Sequence, residues 1–159
     1  MSTLAIPANR TPVSVGVSFC TKDANIKEEF LAYVKPHLGI DPTYDYDLWD
    51  SEQSLPGLPA NQFKTELEAR PVMMILISPN WAMSEPVRTI ELLIAESKIR
   101  IPVGLRRVDL PTGVFPGQMI LYKNKFFEES PNTAFKQQFA LHVSKVMRQR
   151  LDREGWHTR

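Results

Sequence analysis

Val72-Met-Met-Ile-Leu-Ile77 is the longest unbroken apolar run in the chain. Six apolar residues in succession leave no polar face, which predicts a strand buried on both sides, as in a parallel sheet covered by helices. Upstream, Val13–Phe19 alternates valines with small residues and reads as a first strand. Asn25 with Glu28 three residues on has the form of a capping box. Ile26, Phe30, Tyr33, Val34 and Leu38 then recur at helical spacing, with Pro36 and Gly39 near the end. Tyr44–Asp50 alternates as a second strand, Ser51–Gly57 is turn-rich, and Ala60–Ala69 suits a short helix.

Beyond the apolar run, a helix is expected to start near Ser84, Glu85 or Pro86, with Ile90, Leu93 and Ile94 as its apolar stripe. Ile99–Leu105 gives a fourth strand and Gln118–Tyr122 a short fifth one. A last helix follows over Thr133–Leu151. Five strands interleaved with helices predict an α/β fold, a flavodoxin-like, doubly wound, five-stranded parallel sheet with helices on both faces. Ligands of such sheets bind outside the carboxyl ends of the strands, so Ser78, Asn80, Trp81 and Glu91 fall where chemistry is expected.

The 159 residues fit one domain, expected over 12–153 between a flexible N-terminal segment, 1–11, and a C-terminal tail, 154–159, that is a candidate linker to a further domain. With 19 Lys+Arg against 18 Asp+Glu the net charge is +1, so no overall field favours nucleic acid or an anionic membrane, and any anion site must be local. The basic end from Lys145 to Arg159 is expected to complement a helix dipole and not to contact nucleic acid. Cys20 is the single cysteine, which excludes an internal disulfide and a cysteine zinc cage and agrees with a reducing, cytoplasmic setting. The first ten residues lack the form of a signal peptide, and no apolar run reaches membrane-spanning length.

Glycine-rich dinucleotide and phosphate loops, a paired-histidine metal helix and a nucleophile elbow are all absent. A phosphoacceptor aspartate does not close the third strand, which ends Ile77-Ser78. His37, His142 and His157 lie far apart in sequence, and no metal site is expected. Cys20, beside Thr21 and Lys22, reads as a semi-buried residue at a strand end, with no histidine nearby in sequence to activate it.

Four segments together resemble the TIR (Toll/interleukin-1 receptor) domains over about Pro12 to Leu151. They are Val15-Gly-Val-Ser-Phe-Cys-Thr-Lys-Asp23, Leu48-Trp-Asp-Ser-Glu-Gln-Ser-Leu-Pro-Gly57, Ile75-Leu-Ile-Ser-Pro-Asn-Trp81 and Ile101-Pro-Val-Gly-Leu-Arg-Arg-Val-Asp109. The resemblance implies that Leu48–Gly57 is the BB loop and that Glu91 matches the glutamate of members that cleave NAD+. Such a site needs no general acid, because nicotinamide departs from the ribose as a neutral group. One carboxylate then suffices to stabilise the oxocarbenium-like charge.

By the same resemblance Phe19 walls the nicotinamide side, Asp50 holds the BB loop or the ribose, and Thr21 and Lys22 meet phosphates. Each has a plainer reading: Phe19 as core, Asp50 as a turn residue and Lys22 as a solvated charge. Trp81 reads equally as a site wall or as a plug over the third strand's end. Where many NAD-cleaving members carry an aromatic four residues before the glutamate, this chain has Val87, and the spacing from Ser78 to Glu91 is one residue longer.

The resulting expectation is an NAD+ hydrolase releasing nicotinamide and linear or cyclic ADP-ribose, with NAD+ as substrate and no cofactor. Self-association with other TIR domains is expected through the loop Ser51–Pro59, in a signalling or defence role. The rival is a non-catalytic interaction module that assembles through the same loop. A flavin or nucleotide binder of the same fold is disfavoured by the missing phosphate loop.

Overall fold

A computed structural model describes residues 9–50, 65–66, 68–84, 98–109 and 118–158. Four strands pair in parallel: β1 (Thr11–Ser18), β2 (Tyr44–Asp50), β3 (Val72–Ile77) and β4 (Ile99–Gly104), in the order β2-β1-β3-β4. Three helices are described: α1 (Ala24–Gly39), the five-residue α2 (Pro79–Met83) and α3 (Thr133–Arg153).

The uninterrupted run in β3 is explained by two cores that meet it from opposite sides. Val72, Met74 and Leu76 join Val13, Val15 and Val17 of β1 and the buried faces of α1 and α3. Met73, Ile75 and Ile77 join Cys20 and Trp81 on the other face. With both faces covered, all six β3 side chains are fully buried and no polar alternation can occur. On the first face Phe30, Phe127 and Phe139 pack edge to face, with ring centroids 5.3 to 6.2 Å apart.

The expected fifth strand is reduced to one parallel bridge between Val103 and Ile120. Two hydrogen bonds hold it, Gly104 N–H to Ile120 O at 2.9 Å and Ile120 N–H to Pro102 O at 2.7 Å. In this register the next bond would run from residue 102 to the Gln118 carbonyl. Proline has no N–H to give, so the ladder stops there. Arg150 takes the place of that donor, its Nη2 reaching Gln118 O at 2.7 Å. On the other side the chain reverses through Lys123 and Asn124, both left-handed with φ of 50° and 61°, into a Tyr122–Lys125 bridge. Among the described residues the sheet therefore has four strands where the sequence suggested five.

One helix start differs from expectation, and one short helix is additional to those expected. α1 begins at Ala24 with Asp23 in the capping position, displacing the box expected at Asn25, and the Asp23 side chain makes no cap bond. A one-turn helix opens directly after β3 at Pro79, its first residue pre-set in φ and its donor Trp81 N–H capped by Ser78 Oγ at 3.0 Å. Glu85, Pro86 and the stripe Ile90, Leu93 and Ile94 lie outside the described residues, as does most of the helix expected over 60–69. The far end of the chain is tied back to the sheet: Tyr44 Oη donates to Asp152 Oδ1 at 2.6 Å and Trp156 Nε1 to Pro12 O at 3.2 Å.

Candidate functional site

The strand order reverses direction between β1 and β3, since β1 leads outward to β2 on one side while β3 leads to β4 on the other. That reversal is the switch point at which open α/β sheets accept ligands, outside the carboxyl ends of the two strands. The segments leaving those ends are Phe19–Asp23 from β1 and Ser78–Ser84 from β3.

Asp23 joins them. Its carboxylate is buried and accepts from three side chains that arrive on two other loops. Ser78 Oγ donates to Oδ2, Asn80 Nδ2 donates to Oδ1 at 2.8 Å, and Arg106, just beyond β4, donates through Nη1 to Oδ1 at 3.2 Å. A buried carboxylate needs such donors because it has lost its water. Arg106 also pairs with Glu128 at 2.8 Å. The bond to Asp23 and the charge of Glu128 raise the Arg106 pKa above its ordinary value, so this group is a fixed cation and no proton carrier.

Beside this clamp lies a buried lysine. Lys27 is fully withdrawn from solvent, with Nζ 2.5 Å from Glu28 Oε1, 3.4 Å from Asp50 Oδ2 and 4.4 Å from the centre of the Phe19 ring. Phe19 and Asp50, named separately from the sequence, are thus brought together by a residue that the sequence reading passed over. The bond from Lys27 lowers the Glu28 pKa below the usual carboxylate value. Phe19 itself is 5% exposed and belongs to the core under α1.

Trp81 is fully buried against Cys20, Met73, Ile75 and Ile77, and its Nε1–H reaches Ser18 Oγ at 3.1 Å. It closes the space over the end of β3. Thr21 and Lys22, in contrast, are exposed on the 3-10 turn Thr21–Asp23 at the rim of the switch point, where an anionic ligand can reach them. Glu91, Val87 and the loop Ser51–Pro59 lie outside the described residues. Among the described residues no group of three or more His, Cys, Asp or Glu side chains is placed to hold a metal, and no helix is long and apolar enough to cross a membrane.

Of the three residues of this site not singled out from the sequence, only Lys27 carried a readable signal. Lys27 stands three, four and seven residues before Phe30, Leu31 and Val34, on the buried stripe, and a lysine there must find a partner. Asp23 and Arg106 each lie within a segment used for the family resemblance, but their pairing spans 83 residues and no local pattern encodes it.

No protein-family model, curated protein or solved structure matches this chain.

Proposed function

We propose that this chain is a TIR-type NAD+ hydrolase, acting at the switch point between β1 and β3, with Glu91 as its essential carboxylate. The reading is supported by one observation above the others. A polar clamp centred on Asp23 binds the loops after β1, β3 and β4 into one rim at the place where α/β folds take ligands. The four sequence segments that resemble TIR domains contribute Asp23, Asp50, Ser78, Asn80 and Arg106 to this region.

In the reaction proposed, the bond between the ribose C1′ and the nicotinamide nitrogen breaks, and its electron pair neutralises the pyridinium. Water adds at C1′ and gives up a proton, leaving ADP-ribose; an internal nucleophile in place of water gives a cyclic product. Glu91 stabilises the positive charge that develops on the ribose, and fixed negative charge is most effective where water is excluded. Thr21 and Lys22 meet the pyrophosphate from the exposed turn. Phe19 and Asp50, braced by Lys27, support the floor and the start of the loop Ser51–Pro59, through which copies of the chain associate.

The test is nicotinamide release from NAD+ by wild type and Glu91→Gln, with matched melting curves. Glutamine keeps the size and removes the charge, so a rate loss of about a hundredfold, on the order of 3 kcal/mol, is expected. Equal rates would remove Glu91 from the reaction. No turnover by either protein, even when clustered on beads, would favour a scaffold that assembles through the same loop.

A further inference from the structure

At the opposite end of the sheet a cavity of about 440 Å³ opens between the first residues of β4 and the last turns of α3. That volume is within the range of small-molecule sites, about 300–1,000 Å³. Among the described residues its walls carry Arg100, Arg150, Arg153 and Lys98, whose Nζ donates to the Glu68 and Arg70 carbonyls, together with one carboxylate, Glu154. The chain as a whole is close to neutral, with 19 basic and 18 acidic residues, so this concentration of positive charge is local.

Basic residues in a last helical turn commonly do no more than complement the helix dipole. Here the charges converge from separate elements, and Arg150 is turned away from its own helix. It donates from Nη1 to Arg100 O at 3.0 Å and from Nη2 to Gln118 O at 2.7 Å. Those bonds fix the guanidinium on the wall and occupy two of its five N–H groups. Burial first, and then the neighbouring Arg153 charge, lower the Arg150 pKa from its ordinary value. Among the described residues neither Arg150 nor Arg153 pairs with a carboxylate. Gln118, also on the wall, has a buried side-chain oxygen with no hydrogen-bond partner. A buried amide left unsatisfied beside a cationic cavity calls for a ligand that brings both a donor and negative charge.

We propose that this cavity binds a small phosphorylated metabolite carrying hydroxyl groups, of the sugar-phosphate or nucleotide class. Arg153 and the remaining Arg150 N–H groups meet the phosphate, and Gln118 accepts from a hydroxyl. The site is separate from the switch point, because the six residues of β4 hold the two ends about 20 Å apart.

The experiment is a titration of the full chain, followed by backbone amide NMR at low salt, with ribose 5-phosphate and with inorganic phosphate as probes. Saturable shifts at Ile99, Arg100 and Gln118 are expected, with ribose 5-phosphate binding more tightly than phosphate. Arg153→Glu, at an exposed position, should weaken binding by about tenfold or more. Lys35→Glu makes the same change of charge on α1, away from the cavity, and should leave the affinity as it is. No saturation at millimolar probe, equal weakening by both variants, or shifts confined to Thr21–Asp23 would each overturn the site. Equal affinity for the two probes would overturn the role of Gln118.

Discussion

Lys27 Nζ lies 3.4 Å from Asp50 Oδ2, with both side chains withdrawn from solvent. The pair fastens α1 to the last residue of β2. Removing one member of a buried ion pair leaves the other charge without that compensation, whereas removing both restores neutrality. Lys27→Met should therefore lower unfolding free energy by about 3–5 kcal/mol, and Lys27→Met with Asp50→Asn should recover a large part of it. Urea denaturation of the two single variants and the double variant measures the coupling; additive losses would show that the pair is not a unit.

Asp23→Asn tests the clamp across the three loops. The amide keeps the shape but sets an N–H₂ group where an oxygen now accepts from Ser78, or from Asn80 and Arg106. A loss of about 2–3 kcal/mol is expected. Hydrogen exchange should show faster opening at Ser78–Ser84 than in α3, because only the former is held by Asp23. Uniform change across the chain would contradict that.

Glu129 gives the chain an acid-sensitive contact. Its carboxyl pKa is pushed down from 4.5 to about 2, first by the Arg107 guanidinium and then by the Phe126 N–H. The folded state thus holds this proton less tightly than the unfolded chain. The stabilisation is fully present above the unfolded pKa and is lost as pH falls from there through the folded one. Thermal melts between pH 5 and pH 2 should fall less steeply for Glu129→Gln than for wild type, and parallel curves would show that Glu129 is uninvolved.

Gly104 closes β4 where Leu121 and Phe126 cross it. A Cβ there would collide with Leu121 Cδ2 and come within 2.8 Å of Phe126 Cδ2. Phe126 is 2% exposed and has little room to withdraw. Gly104→Ala should cost about 1–3 kcal/mol by overpacking, read as a lower urea midpoint at unchanged slope.

Elements defined by local pattern were legible from the sequence, and those decided by distant partners were not. β2 and β3 fall on their expected bounds because alternation and an unbroken apolar run are properties of neighbouring residues. The last helix starts at its expected Thr133, capped by Asn132, whose Oδ1 accepts from Phe135 N–H at 2.8 Å. Gln118–Tyr122 has strand composition, but its pairing depends on Pro102 and Arg150, far off in sequence. The role of Asp23 is likewise not encoded locally, because its three donors lie 55 to 83 residues away. In the candidate site, Phe19 and Asp50 could be named one by one. Only the three-dimensional placement of Lys27 links them.

β2 lies at one margin of the described sheet and carries Asp45 and Asp47, both exposed and paired with Arg10 and Arg70 at 3.5 and 3.2 Å. A second copy approaching that margin about a two-fold axis would align its β2 antiparallel, and centred on Tyr46 it would set each Asp45 across from the other copy's Asp47. Like charges directly opposed across strands are repulsive, and charged margins are a common guard against runaway sheet growth. Strand-to-strand joining of two copies at this margin, in that register, is therefore disfavoured.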